Sequence, residues 1–113
     1  MFQRLFGKSS VPSVTAPEAW TRLAEKGSNT VLIDVREPHE YKNGHARRAK
    51  NIPLSQIQQR VNEVPRDREV FLICQSGHRS MQAATFLHQQ GLEKIVNVTG
   101  GTSIWRLHNL PME

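Results

Sequence analysis

With 113 residues, 37% of them hydrophobic and 22% charged, the chain can bury one core but not two, and it has no apolar run approaching the ~18 residues of a membrane-spanning helix. Fifteen Lys and Arg against ten Asp and Glu leave a charge of +5, which steers anions toward the surface. With no block of like charge, 6% aromatic residues and no base-reading signature, that bias points to small anionic substrates and away from nucleic acid.

The first 14 residues, MFQRLFGKSSVPSV, carry Arg4 and Lys8 but neither an acidic residue nor an apolar core of secretory type, so no signal peptide is expected. Phe2, Leu5 and Phe6 fall at helical spacing beside those cations, a pattern open to a membrane surface or an organelle leader. Residues 1–12 are read instead as a short arm, frayed or packed on its own domain, and residues 13–113 as a single domain.

TAPEAWTRLAEKG predicts a helix in which Thr15 caps, Glu18 completes a capping box, Pro17 suits the first turn and Gly27 follows the end. Ala19, Trp20, Leu23 and Ala24 would form its inward stripe. TVLIDV at 30–35 is a near-continuous β-branched run, the pattern of a strand covered on both faces, and it ends abruptly in REPHEY. NIPL predicts a shorter strand, SQIQQRVNEV a helix capped by Ser55, and EVFLIC a second buried strand.

SMQAATFLHQQG then predicts a helix starting near Ser80, with Met81, Ala84, Phe86 and Leu87 inward; KIVNV is another strand, Gly100 and Gly101 a turn, and TSIWRLHN a last short helix. Strands alternating with helices define an α/β class: a parallel sheet with helices on both faces. Such sheets bind ligands beyond the carboxyl ends of their strands, where Asp34 and Cys74 both stand.

Cys74 is the single cysteine, so an internal disulfide is excluded and a reducing, cytoplasmic setting is the simpler expectation. CxxC and Cys/His zinc spacings are absent, and His39, His45, His88 and His108 show no i, i+4 pairing, so no metal is expected. In CQSGHRS, residues 74–80, a strand ends at the thiol and a helix begins a few residues later, which aims backbone N–H groups and a helix N-terminus at the sulfur. A free thiol with a pKa of about 8.5 is only about 3% thiolate at pH 7, and lowering that pKa by about two units would take roughly 2.7 kcal/mol. Helix dipole, amides and Arg79 together can supply this, so Cys74 is read as an activated nucleophile. Gly77 permits the tight turn, Gln75 and Ser76 can hydrogen-bond an oxyanion, and Arg79 offers a fork for sulfonate-like or phosphate-like oxygens.

CQSGHRS resembles the C-x-x-G-x-R-S active loop of the rhodanese, or thiosulfate sulfurtransferase, family. LIDVREPHEYKNGH is similar to that family's amino-terminal signature, NIPL to its following strand, and GGTSIW to its GG-x-x-x-W segment, so the resemblance spans roughly residues 13 to 108. It implies a rhodanese-like three-layer fold: five parallel strands flanked by helices, the short first strand lying around SVT. It also implies a sulfurtransferase that needs no metal or organic cofactor. Cys74 would take sulfane sulfur from thiosulfate or a similar anionic donor, and pass it to cyanide, a small thiol or a protein thiol.

By matching position, residues Gln75, Ser76, Gly77, His78 and Arg79 form the anion cradle, and Arg79 helps hold the donor. Dual-specificity phosphatases and arsenate reductases that share this fold use a loop one residue longer, so the six residues from Cys74 to Arg79 favour sulfur over phosphorus. The alternative role is a relay protein that hands persulfide sulfur to a protein partner. A monomer or weak dimer is expected.

Asp34, Arg36 and Glu40 lie where one carboxylate can orient Arg79, although Asp34 can equally serve backbone amides in its own turn. His78 is read as a solvent-facing loop residue, with a cation beside the thiolate as the alternative, and His45 as a structural hydrogen bonder. The chain departs from the family in GHARRAKN: a small Gly-Ala pair is replaced, and Arg47, Arg48 and Lys50 make a basic cluster. This unsettles the turn and offers a patch for anionic donors or an acidic acceptor if it borders the pocket.

Overall fold

The computed structural model describes residues 11–113; the N-terminal arm, but for its last two residues, lies outside the described residues. Five parallel strands, β1 (Ser13–Thr15), β2 (Val31–Asp34), β3 (Ala49–Asn51), β4 (Val70–Ile73) and β5 (Ile95–Thr99), form one sheet in the order β1-β5-β4-β2-β3. The helices are α1 (Ala16–Ala24), α2 (Pro38–Lys42), α3 (His78–Gln89) and α4 (Gly101–Leu107). No helix among the described residues is long and apolar enough to cross a membrane.

The strands alternate their side chains between two separate cores. Ile33, Val70, Leu72 and Ile95 pack on one face with Ala83, Ala84 and Leu87 of α3. Leu32, Phe71, Val96 and Val98 pack on the other with Ala19 and Leu23 of α1 and Trp105 of α4. This explains why the strands read as continuous apolar runs: each face buries every second residue. Because all strands run the same way, the ends of β2, β4 and β5 meet at one edge of the sheet, and the loop after each opens there.

The α1 capping box forms as read. Glu18 N–H donates to Thr15 Oγ1 at 3.2 Å, and Thr15 N–H donates to Glu18 Oε1 at 2.9 Å. Its buried residues are Ala16, Ala19 and Leu23; Trp20 is half-buried and Ala24 exposed, so the inward stripe starts one turn earlier than the sequence pattern indicated. On α3, Ala83 joins Ala84 and Leu87 in the core while Met81 and Phe86 sit at its margin.

Several elements differ from the sequence reading. REPHEY does not simply end a strand: Pro38 opens α2, and Glu40 Oε1 accepts the Glu37 N–H at 3.0 Å to cap it. The predicted helix over SQIQQRVNEV is absent, leaving two 3₁₀ turns at Leu54–Gln56 and Val61–Glu63. The Ser55 hydroxyl donates to Glu37 Oε2 at 3.1 Å instead of capping, and only Ile57 and Val64 are buried along this stretch, too few for an amphipathic stripe. The third strand is Ala49–Asn51 and overlaps NIPL only at Asn51, although Ile52 and Leu54 N–H, on either side of Pro53, still donate to the Asp34 and Val35 carbonyls at 3.0 and 2.9 Å. The helix after the cysteine loop starts at His78, two residues before Ser80, with Gly77 in the left-handed conformation before it (φ 111°).

The turn unsettled by GHARRAKN persists, with Arg48 itself in the left-handed region (φ 76°). Its guanidinium donates to the Leu23 carbonyl at the end of α1, and its N–H donates to Glu113 Oε1 at 3.4 Å. Arg48 precedes β3, whose Ala49 pairs with Leu32 early in β2, so Arg47 and Arg48 lie at the edge of the sheet opposite Cys74. Lys50 pairs with Glu63 at 3.8 Å. The basic cluster therefore does not border the cysteine loop.

A left-handed non-glycine residue costs about 1 kcal/mol that a side-chain bond must offset. Arg48→Ala keeps the strain and removes the bond, whereas Arg48→Gly removes both. Urea unfolding should place Arg48→Ala about 1 kcal/mol below Arg48→Gly in stability; equal stabilities would show that the turn carries no strain.

Candidate active site

Cys74 follows β4 and is 1% exposed, yet its sulfur is surrounded by donors. Gly77 N–H donates to Sγ at 3.1 Å and Ser80 N–H at 3.3 Å. The thiol in turn donates to Ser80 Oγ at 3.3 Å. Burial pushes the thiol pKa up, but the Ser80 hydroxyl and the N–H groups of Ser80, Gly77 and Ser76 outweigh it, so the pKa falls below its ordinary value. The local fold follows from sequence: Gly77 turns the chain so that the first amides of α3 converge on the sulfur.

The loop is anchored from behind by the double glycine. Thr102 N–H and Oγ1 donate to the Cys74 carbonyl at 2.8 and 3.1 Å, and Ser103 N–H donates to the Gln75 carbonyl at 3.1 Å. This approach needs a bare backbone, since a Cβ on Gly101 (φ 57°) would lie 2.2 Å from the Cys74 carbonyl oxygen.

Arg79 makes a two-pronged bond with Glu40, Nη1 to Oε1 at 2.7 Å and Nη2 to Oε2 at 3.0 Å. That hydrogen bond, against the opposing effect of burial, lowers Glu40 to about 2, and it raises Arg79. Because Glu40 Oε1 also caps α2, the guanidinium is tied to a fixed helix. Asp34 does not touch Arg79. It accepts from the Arg36 N–H at 2.9 Å and from the Arg36 guanidinium at 2.8 to 3.1 Å, and Arg36 Nη2 also donates to the Gly44 carbonyl at 2.9 Å. Asp34 and Arg36 thus form a separate buried pair that braces the neighbouring loop.

The remaining loop side chains face outward. Gln75 donates to Ser103 Oγ at 2.9 Å, and His78 is exposed with Nδ1 3.4 Å from Ser76 Oγ. His45 stacks on Tyr41 with ring centroids 3.6 Å apart and bonds the Tyr41 carbonyl through Nδ1 at 2.9 Å. Three residues at or near the thiol have no site role in the sequence reading: Ser80, Thr102 and Asn97, the last accepting the Ser80 hydroxyl at 2.6 Å. Asn97 carried a signal, as the lone polar residue inside the apolar run KIVNV. Among the described residues no group of acidic, His and Cys side chains is placed to hold a metal ion.

The rhodanese-like domain profile matches residues 15–108. The chain belongs to the rhodanese-like domain family. This rhodanese-like domain is 40% identical over 91 residues to a sulfurtransferase of Allochromatium vinosum, covering 80% of this chain and 84% of that protein. It is 50% identical over 74 residues to the uncharacterized protein YqhL of Bacillus subtilis, where the match spans 66% of this chain but 59% of the relative. A crystal structure of a rhodanese-related protein from Thermoplasma volcanium superposes with a TM-score of 0.82 at 32% identity, over 90% of this chain and 97% of the other. Sulfurtransferases are therefore among its relatives, and the five-stranded parallel sheet is the family's fold.

The lowered Glu40 pKa has a consequence for acid stability. A carboxylate depressed in the folded state contributes stability that is present above its unfolded value, near 4.5, and lost as pH falls through about 2. Wild type should therefore exceed Glu40→Gln in stability at pH 6, and the gap should close as pH falls from about 4.5 toward 2. Denaturant melts across that range check this; a constant gap would mean that Glu40 contributes by packing alone.

Proposed function

We propose that this domain transfers sulfane sulfur through a persulfide on Cys74, with thiosulfate or a similar anion as donor. The observation that carries the reading is the pair of N–H groups, from Gly77 and Ser80, directed at a buried sulfur with lowered pKa. The Cys74 thiolate attacks the outer sulfur of thiosulfate. A new S–S bond forms to Cys74, the S–S bond of the donor breaks, and sulfite leaves with the electron pair. Negative charge then rests on the outer sulfur of the persulfide. An acceptor such as cyanide attacks that sulfur, forms thiocyanate and restores the thiolate, which makes the cycle a double displacement.

Arg79 supports this role because Glu40 occupies only one N–H on each of its two terminal nitrogens, leaving donors for the sulfonate oxygens of the donor. The six residues from Cys74 to Arg79 favour sulfur over the larger phosphoryl group. Cys74 is the single cysteine, so an acceptor from outside the chain must clear the persulfide: cyanide, a small thiol or, in a relay role, a protein thiol. A lone thiol of this kind suits a reducing, cytoplasmic setting.

Incubation with thiosulfate should add the mass of one sulfur to Cys74, and cyanide should remove it as thiocyanate. Cys74→Ser should lose both signals. No adduct and no thiocyanate from folded wild type would overturn the reading.

A further inference from the structure

Ser80 has one hydroxyl hydrogen and two neighbours that accept it. Its Oγ lies 3.3 Å from Cys74 Sγ and 2.6 Å from Asn97 Oδ1. Cys74, Ser80 and Asn97 are 1%, 0% and 4% exposed, so bulk water does not supply a substitute partner. The three residues come from different places, the end of β4, α3 and β5, and meet in the layer between the sheet and α3. Burying an asparagine in the strand Ile95–Thr99, between Val96 and Val98, costs stability unless its polar atoms are used.

The protonated and ionised thiol place opposite demands on this group. With the proton present, donation runs one way: S–H to Ser80 Oγ, then Ser80 O–H to Asn97 Oδ1. Once the proton leaves, Sγ becomes an acceptor and needs the hydrogen that Asn97 already holds. We propose that Asn97 is a positioning residue that raises the threshold for ionising Cys74 by competing with the thiolate for the Ser80 hydroxyl hydrogen. It acts as a counterweight to the loop amides: Gly77 and Ser80 N–H pull the sulfur toward the anion, while Asn97 favours the thiol until a donor arrives.

Asn97 is well placed for this because it is neutral and does not bond the sulfur itself. The charged and titratable groups around the thiol lie on other elements: His78 and Arg79 on α3, Asp34 at the end of β2, Arg36 just after it and Glu40 on α2. From β5 and the start of α4, the residues Asn97, Thr99, Thr102 and Ser103 bring no charge. A change at Asn97 therefore reaches Cys74 through Ser80 and leaves those charges in place.

The inference deepens the sulfur-transfer reading and rests on it for its effect on turnover. Alkylation of Cys74 by iodoacetamide reports the thiolate whether or not thiosulfate is the donor, so failure of one is distinguishable from failure of the other. The test follows the alkylation rate against pH in wild type, Asn97→Val, Ser80→Ala and the double variant. Asn97→Val should lower the midpoint, and below it should react roughly threefold to tenfold faster than wild type, the value of one freed hydrogen bond. Ser80→Ala should raise the midpoint, and adding Asn97→Val to it should change nothing further.

A midpoint in Asn97→Val that stays or rises would overturn the proposal, a rise meaning that Asn97 turns its N–H toward Ser80 and supports the thiolate. So would an Asn97 effect that persists without the Ser80 hydroxyl. Should Asn97→Val not fold, the wild-type protein carries the test alone. The Asn97 side-chain amide resonance should then shift with pH at the alkylation midpoint, and a resonance that does not move sinks the idea.

Discussion

A buried sulfur held by the first amides of α3 is the contact on which the rest of the arrangement depends. Leaving Cys74 inside the protein disfavours its anion, and the Ser80 hydroxyl with the N–H groups of Ser80, Gly77 and Ser76 reverses that preference at close range. Those amides point at the sulfur only because α3 begins at His78, and α3 begins there only because Gly77 takes the left-handed turn. The parallel sheet sets the position of the strand end, and the core on one of its faces holds α3 against it. A chain of dependence thus runs from alternating apolar strands to the charge state of one atom.

Around this contact, two ion pairs perform different tasks. Asp34 and Arg36 are sealed from water and spend their bonds on backbone and on each other, bracing the loop after β2. Glu40 and Arg79 are only partly buried, and the carboxylate fixes one side of the guanidinium, leaving the other side for the anion of the proposed transfer. Burial decides the division: a pair cut off from solvent has no access to a ligand, whereas a partly exposed pair can orient one. The buried pair is also a weak argument for stability in itself, because desolvation offsets much of its attraction.

Much of this was legible in the sequence because the signals were local and redundant. The capping box at Thr15 and Glu18, the apolar runs at 31–34 and 70–73, and the loop CQSGHRS each carry their meaning within a few residues. What escaped depended on contacts distant in the chain. Ser55 looks like a helix cap until Glu37 is brought beside it, and Asn97 looks like an interruption of a strand until Ser80 is placed above it. The choice between Asp34 and Glu40 as the partner of Arg79 also lay beyond spacing, since it turns on which carboxylate Arg36 has already taken. The basic cluster at 47–50 was ambiguous for the same reason: only strand register places Arg47 and Arg48 at the far edge of the sheet.

The central claim is that the loop holds Cys74 as a stabilised thiolate, and direct titration of the sulfur tests it. Ultraviolet thiolate absorbance of the folded protein, followed against pH with Cys74→Ser as the blank, should show a midpoint below the ~8.5 of a free cysteine. A midpoint at or above that value would contradict the account, since burial would then have prevailed over the amides of α3.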